Sequence, residues 1–135
     1  MIFVDSNIFM FAGDENYPEH MNAKSFFEEK REKFCFNTII ALESHYGYLR
    51  NLGAEEAEVR LKAMLESKLL KYYAITEEDL IKGAEISRRY NIKTNDATII
   101  ANMLRNGIDR IATDNVKDFS KHSKIKVINP IKRFT

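Results

Sequence analysis

Five carboxylates in this 135-residue chain stand where a purely surface role is not the obvious explanation. The first is Asp5, which ends the apolar run Ile2–Val4 in "MIFVDSNIF" and is followed at once by Ser6 and Asn7. A carboxylate at this position can cap a helix that begins near Ser6. It can equally be a metal ligand at the end of a buried strand, and Asp5 alone does not decide between the two.

Glu43 lies within "TIIALESHYGYLRN", which has the apolar spacing of a helix. Its neighbours three and four residues away on the same helix face are all uncharged: Ile39, Ile40, Tyr46 and Gly47. A glutamate on an exposed face normally has polar neighbours. We therefore expect Glu43 to point to the interior or into a cleft, and the alternative is a partly exposed position at the edge of the apolar stripe.

Asp96 follows Thr94 and Asn95 at the start of "TNDATIIANML". The dipole at a helix N-terminus favours an anion in the first turn, which is a structural explanation for this carboxylate. Thr94 and Asn95 already offer caps, however, and we expect Asn95 to cap the helix. Because Asp96 precedes Ile99 and Ile100 by three and four residues, it begins an apolar face.

Two further aspartates follow the short run "RIAT". Asp114 comes directly after Thr113, and Asp118 comes one short turn later. In an extended chain Thr113 and Asn115 point to one side and Asp114 points to the other. Either aspartate can be an ordinary turn residue or the fourth acidic member of a site, and the residues leave both possibilities open.

Carboxylates that converge in a fold repel each other, by about 4 kcal/mol for two charges ~4 Å apart at an effective dielectric constant of about 20. A fold tolerates this if one group is protonated or if a hard cation lies between them. Oxygen ligands without His or Cys suit Mg²⁺ or Mn²⁺. The sequence therefore indicates a Mg²⁺ or Mn²⁺ site, provided that the topology brings these carboxylates together.

The elements that would position them alternate along the chain. Apolar runs predict strands at Ile2–Val4, Phe34–Phe36, Leu69–Ile75, Arg110–Thr113 and Lys126–Ile128. Between them, helices are predicted over Ser6–Phe11, Pro18–Arg31, Thr38–Asn51, 54–67, Thr76–Tyr90 and Asn95–Asn106. This alternation predicts one α/β domain over residues 1–135, a three-layer α/β/α sandwich with a central, mainly parallel sheet. Ligands of such sheets bind beyond the carboxyl ends of the strands, where Asp5 would lie.

Finer details of the helices also follow from the pattern. Thr38 is expected to cap the third helix, and Thr76 with Asp79 resembles a capping box for the fifth. The spacing of apolar residues predicts these inward-facing side chains in the third and fourth helices: Ile39, Leu42, Tyr46, Leu49, Val59, Ala63 and Leu65.

Composition restricts the setting of the protein. Cys35 is the only cysteine, so a disulfide within the chain is impossible and a reducing, cytoplasmic location is expected. Asp5 interrupts the apolar start too early for a signal peptide, and no run approaches the roughly 18 apolar residues of a membrane span. Residues 115–135 hold six Lys or Arg against one Asp, which suits either a phosphate-rich ligand or a solvated surface.

The stretches "MIFVDSNIF", "TIIALESHYGYLRN", "TNDATIIANML" and "RIATDNVKDF" occur in the order and approximate spacing of a PIN domain, and the chain resembles that family over about residues 2–129. Its small size is similar to that of VapC-type toxins of toxin–antitoxin pairs. The resemblance implies an α/β/α sandwich with Mg²⁺- or Mn²⁺-dependent ribonuclease activity at the carboxyl edge of its sheet. It also implies an RNA substrate, a small antitoxin partner and a homodimer.

The resemblance assigns the site residue by residue. Asp5, Glu43 and Asp96 match the first three acidic positions and would bind the metal. One family pattern places the fourth acid two residues after the threonine, where this chain has an asparagine. Another pattern reads Thr-x-Asn-x-x-Asp-Phe, which this chain satisfies. We therefore prefer Asp118 to Asp114 as the fourth catalytic acid.

Other side chains would support these acids. The supporting polar residues are Ser6, Asn7, Thr113 and Asn115, and the candidates for holding the RNA backbone are Lys117, Lys121, Lys124, Arg88, Arg89 and Lys93. Asn7 stands where a haloacid-dehalogenase-type phosphatase needs a second carboxylate, which argues against that class. Because Asn115 replaces an acid, a catalytically silent PIN-like module that binds RNA or protein stays open as the alternative.

Overall fold

The computed structural model describes residues 1–131. In this range five strands form one sheet: β1 (Ile2–Val4), β2 (Phe34–Asn37), β3 (Leu70–Tyr73), β4 (Arg110–Ala112) and β5 (Lys126–Ile128). The helices of the same range are α1 (Ser6–Gly13), α2 (His20–Glu29), α3 (Thr38–Leu52), α4 (Ala54–Glu66), α5 (Glu77–Tyr90), α6 (Thr94–Arg105) and α7 (Val116–Phe119). No helix within residues 1–131 is both long and apolar enough to cross a membrane.

The strand order across the sheet is β3-β2-β1-β4-β5, and every neighbouring pair is parallel. The chain moves outward from β1 to β3 and then returns past β1 to β4 and β5. The order therefore reverses between β1 and β4, where Val4 lies beside Ala112. Asp5 and Thr113 directly follow these two residues, at the point where open parallel sheets bind their ligands.

Helices cover the sheet in two packed groups. Helices α1 to α4 pack against one another, and α6 packs against both α5 and α7. Ile2, Phe3 and Val4 of β1 are fully buried, as expected for the central strand of a sheet that is covered on both faces. The predicted three-layer α/β/α sandwich is confirmed, and its sheet is parallel throughout.

The predicted inward face of α3 is wrong at three of its four positions, because only Ile39 packs against the core. Leu42, Tyr46 and Leu49 are exposed, although their spacing is that of an apolar stripe. Helix α3 instead approaches α1 through Gly47, where an added Cβ would lie 2.4 Å from the terminal carbon of Met10. Close packing therefore uses the small side chain and leaves the large apolar ones outside.

The predicted inward face of α4 is also wrong. Val59, Ala63 and Leu65 are exposed, whereas Ala57 and Met64 are buried. The helix is rich in charged residues on most of its surface, so its few apolar positions do not identify one face unambiguously.

Buried polar side chains connect α3, α5 and α6. Asn37, rather than Thr38, caps α3 through an N–H of its first turn (3.1 Å). The Asn37 side chain donates to Asn102 Oδ1 of α6 (3.0 Å), and Asn102 Nδ2 donates to Asp79 Oδ2 of α5 (2.9 Å). Asp79 also forms the predicted capping box with Thr76. These hydrogen bonds fix the starts of α3 and α5 against the middle of α6.

Candidate active site

A pocket of about 410 Å³ opens beyond the carboxyl ends of β1 and β4. Its lining combines side chains that follow β1 with others from α3, from the start of α6 and from the loop after β4: Asp5, Ser6, Asn7, Glu43, Lys93, Thr94, Asn95, Asp96 and Asn115. Three carboxylates that are far apart in the sequence thus line one pocket, at the position that the topology predicts.

Asp5 is a helix cap whose second carboxylate oxygen lies against β4. Oδ1 accepts the N–H of Ser6 (2.8 Å) and so caps α1. Oδ2 accepts the hydroxyl of Thr113 (2.7 Å) and the amide of Asn7 (3.3 Å). Burial raises the pKa of Asp5, and the hydrogen bonds from these three residues oppose that rise. Asp5 therefore caps α1, and its carboxylate also lines the pocket.

Glu43 lies in the cleft, as its apolar neighbours predict. Its Oε1 accepts the hydroxyl of Ser6 (3.2 Å), and the side chain of Asn95 also hydrogen-bonds to the carboxylate. The pKa of Glu43 is raised by partial burial and by the negative charge of Asp5. Glu43 and Asp5 are therefore close enough to influence each other's ionisation.

The contact between Asn95 and Glu43 corrects the prediction that Asn95 caps α6. Helix α6 begins at Thr94, and Lys93 occupies the cap position without a side-chain hydrogen bond. Asn95 was missed as a pocket residue because a polar residue before an apolar run is usually a cap. The only hint in the sequence is that Thr94 is a second possible cap at the same helix start, which would leave the Asn95 side chain free for the pocket.

The carboxyl group of Asp96 is strongly perturbed. Burial and then the negative charges of Asp5, Glu43 and Asp118 together raise its pKa from 3.8 to about 7. Lys93 opposes this effect. Because three carboxylates act on a fourth, the pocket holds an excess of negative charge that a cation would offset.

Asn115 connects two of the predicted acids. Its Nδ2 donates to Asp96 Oδ2 (3.1 Å) and to Asp118 Oδ2 (3.1 Å). The hydrogen bond from Asn115 lowers the pKa of Asp118, and Lys121, 3.5 Å from Asp118 Oδ1, lowers it as well. An amide between two carboxylates reduces their repulsion, so this asparagine has a structural reason to be neutral.

Asp114 lies outside this arrangement. It is exposed, and its Oδ1 accepts a hydrogen bond from Asn129 (3.4 Å). Only its backbone N–H points back to the site, where it donates to Asn7 Oδ1 (3.2 Å). The structure therefore connects Asp118 to the pocket and leaves the Asp114 carboxylate on the surface.

The donor set has the chemistry of a Mg²⁺ or Mn²⁺ site, because the pocket offers carboxylate and amide oxygens and no sulfur or imidazole. In residues 1–131, however, no three Asp, Glu, His or Cys side chains are close enough to share an ion. Asp5 is engaged by Thr113, and Asp96 by Asn115. An ion shared by three of these carboxylates therefore requires side-chain rotation.

Five of the six basic residues predicted to hold RNA do not line this pocket, although all lie in the described part of the chain. Lys121 is connected to it only through Asp118. Arg89 and Lys124 line a separate cavity. Two are exposed and line neither: Arg88 and Lys117. Lys93, the sixth candidate, lines the acidic pocket and supplies positive charge there.

Comparisons with known proteins agree with this arrangement. A PIN domain family model matches residues 2–125. The chain is 30% identical to Ribonuclease VapC6 of Methanocaldococcus jannaschii, over 94% of this chain and 95% of the relative. Its fold is similar to that of Mycobacterium tuberculosis VapC20, a toxin that cleaves the sarcin-ricin loop (TM-score 0.79, 20% identity, 89% of this chain and 94% of that one).

It is also similar to FitAcB from Neisseria gonorrhoeae (TM-score 0.73, 18% identity, 96% of this chain and 98% of that one) and to a toxin–antitoxin complex from Klebsiella pneumoniae (TM-score 0.70, 20% identity, 96% and 98%). At these identities the structures show the fold alone, whereas the family match and the VapC6 relative cover nearly the whole chain. The chain belongs to the PIN domain family, among its VapC-type ribonuclease toxins.

Proposed function

We propose that this protein is a Mg²⁺- or Mn²⁺-dependent ribonuclease that hydrolyses RNA phosphodiester bonds as the toxin of a toxin–antitoxin pair. Asp5, Glu43 and Asp96 would hold the ion, and Asp118 would complete the site. The observation that carries the proposal is that Asp5, Glu43 and Asp96 line one pocket, where burial and neighbouring carboxylates raise the pKa of Asp96 to about 7. A cation that offsets this charge stabilises the site.

When bound, a divalent ion supplies positive charge that polarises a phosphoryl oxygen and lowers the pKa of an attacking water. The protein's own residues hold the acids in place. Thr113 orients Asp5 through a buried hydroxyl, and Asn95 orients Glu43. Lys93 lines the same pocket and can hold a phosphate of the RNA backbone without reading its sequence.

The test is RNA cleavage with Mg²⁺ or Mn²⁺ and with EDTA. We expect Asp5→Asn and Asp96→Asn to lower the cleavage rate by more than about a hundredfold. That is more than the loss usually seen when a residue that only supports a metal ligand is replaced. Asp118→Asn should lower it by roughly 10–100-fold, and Asp114→Asn is the control that retains activity. Wild-type rates in Asp5→Asn or Asp96→Asn would refute the proposal.

A catalytically silent module that binds RNA or protein is the second candidate. The observation that favours it is that no three acidic side chains within residues 1–131 share a common point. Calorimetry with Mn²⁺ separates the two functions. An enzyme should bind Mn²⁺ in a way that Asp5→Asn weakens, whereas a silent module should bind RNA equally with and without the metal.

We propose a homodimer that uses α3, β3 and α5. Thr38 at the start of α3 hydrogen-bonds to Tyr72 of β3 (2.7 Å), so these elements meet at the edge of the sheet. The exposed large apolar side chains on them are Leu42, Tyr46, Leu49, Tyr72, Leu80 and Ile81. Sedimentation should give a dimer that Ile81→Glu converts to a monomer, with Val59→Glu on exposed α4 as the control. A dimeric Ile81→Glu variant would exclude this surface.

We propose that a small antitoxin protein binds a groove of about 480 Å³ beside α1 and the end of α2. Phe9, Phe27 and Leu69 line it, and three lysines with one glutamate are among its charged residues. An apolar segment with acidic flanks suits this lining. The protein encoded by an adjacent short reading frame should bind the wild type, and Leu69→Glu should abolish that binding. Unchanged binding to Leu69→Glu would exclude the groove.

A further inference from the structure

A second cavity lies between α5, α6 and the turn that precedes β5. Its volume is about 430 Å³, within the range of roughly 300–1,000 Å³ that is usual for small-ligand sites. It shares none of its lining residues with the acidic pocket within the described chain. Ile86 and Ala101 form part of an apolar wall, and Arg89, His122 and Lys124 contribute polar groups.

His122 brings to this cavity a hydrogen-bond donor that has no protein partner among the described residues. The residue is only 6% exposed, and its ring lies 4.5 Å from the ring of Tyr90, centroid to centroid. Nδ1 accepts the backbone N–H of Lys124 (3.2 Å), which leaves the proton of the neutral ring on Nε2. Nε2 has no hydrogen-bond partner among residues 1–131. Among the described residues the buried side-chain polar atom without a partner is Ser44 Oγ, so Nε2 of His122 reaches the solvent of the cavity and can donate to a ligand there.

Two cations lie near this donor. Arg89 and Lys124 line the same cavity as His122, and their positive charges act with burial to lower the pKa of the His122 ring. The Arg89 guanidinium lies 5.7 Å from the centroid of the Tyr90 ring. Among the ion pairs of residues 1–131, neither Arg89 nor Lys124 has a carboxylate partner. Their charge is therefore available to an anion.

The carboxylates that line the cavity do not neutralise these two cations. Asp79 is paired with Arg105 (2.7 Å), and Glu85 is paired with Lys82 (3.2 Å). Glu78 stands about three turns before Arg89 on α5, which is about 16 Å along the helix axis. The cavity therefore has an end near the start of α5 where three acids line it against two bases, and a basic end at His122.

We propose that the basic end of this cavity binds the phosphate group of a nucleotide, with Arg89, Lys124 and the Nε2–H of His122 as donors. Charge-assisted hydrogen bonds to phosphate are the strong contacts of such a site. The cavity is larger than a phosphate alone, and its apolar wall at Ile86 and Ala101 gives a base a surface to lie against. The nucleotide is either free or the phosphorylated end of an RNA. The site does not depend on the proposed ribonuclease function.

The test uses the whole protein in EDTA, so that no metal holds phosphate in the acidic pocket. Calorimetry should show AMP binding more tightly than inorganic phosphate. Arg89→Gln and Lys124→Gln should each weaken AMP about tenfold or more. Arg88→Gln is the matched control, because it removes the same charge from an exposed neighbouring position outside the cavity. The His122 imidazole resonances should shift saturably with AMP, which checks the site without a variant of this buried residue.

A short 2′-O-methyl RNA with a 5′-phosphate distinguishes the two sources of the nucleotide. If it binds more tightly than AMP, the site takes an RNA end, and if AMP binds more tightly, the site takes a free nucleotide. The proposal is overturned if neither binds at millimolar concentration, if inorganic phosphate binds as tightly as AMP, or if Arg88→Gln weakens AMP as much as Arg89→Gln. Because no cleavage is measured, an inactive ribonuclease would not change these outcomes.

Discussion

Replacing Asp96 with Asn should stabilise the metal-free protein above neutral pH. The pKa of Asp96 is raised from 3.8 to about 7, through burial and then through the charges of Asp5, Glu43 and Asp118. Each tenfold change in an ionisation equilibrium corresponds to about 1.4 kcal/mol, so the ionised carboxylate costs at most about 4 kcal/mol in the folded state. Solvent reaches part of this side chain, and screening reduces the expected gain to roughly 2 kcal/mol.

The sign of the pH dependence follows from proton binding. An acid whose pKa is higher in the folded state binds more protons there between the two pKa values, so stability falls as pH rises from 3.8 to about 7. Above about pH 7 the ionised Asp96 carboxylate lowers the free energy of unfolding by its full amount. Asn carries no charge, so the gain from Asp96→Asn should be near zero at about pH 4 and largest at about pH 8. His122, whose pKa is lowered, acts equally on both proteins and cancels in the difference.

Urea denaturation in EDTA across this pH range measures the difference directly. Asp114→Asn is the control, because it removes an exposed carboxylate outside the pocket. Adding Mn²⁺ should reverse the order at high pH, since mass action stabilises the protein that binds the ion. If the difference between Asp96→Asn and the wild type is the same at both ends of the pH range, the reasoning from charge repulsion is wrong.

Three other substitutions test the packing around the site. Thr113→Val removes a buried donor to Asp5 and should lower the free energy of unfolding by about 1–3 kcal/mol in urea; an unchanged midpoint would mean that this hydrogen bond is not needed. Gly83→Ala places a Cβ 2.8 Å from the Cα of Thr98, so α5 and α6 must separate, at a cost of about 1–3 kcal/mol that thermal denaturation should show. Asn115→Asp adds a charge between the two aspartates that Asn115 bridges, and calorimetry should show Mn²⁺ binding about tenfold tighter; weaker binding would contradict this account.

Local patterns predicted the sheet and most of the acidic pocket. Short apolar runs such as Ile2–Val4 have few alternatives when helices separate them, so the parallel sheet followed from their alternation. Asp5 and Thr113 then had to lie side by side at the ends of adjacent strands. Glu43 was placed in a cleft because its helix neighbours are uncharged, and the structure puts it there.

The features that sequence patterns do not determine are contacts between elements. The inward face of α3 depends on how closely α1 approaches Gly47, which is a property of two elements rather than of one. The choice between Asp114 and Asp118 depends on the backbone after β4, where the short α7 brings Asp118 to Asn115. Asn95 looked like a cap because its partner, Glu43, lies on a different helix.

The hydrogen bonds that connect Asn37, Asn102 and Asp79 affect how this protein can lose its activity during evolution. It holds the helices that carry Glu43 and Asp96 without using any residue of the acidic pocket. The pocket lowers stability, and this buried chain supports the architecture independently of it. Inactive descendants should therefore fold at least as well as active ones. A library selected for heat resistance alone would accumulate neutral substitutions at the acids, so activity persists only where it is selected directly.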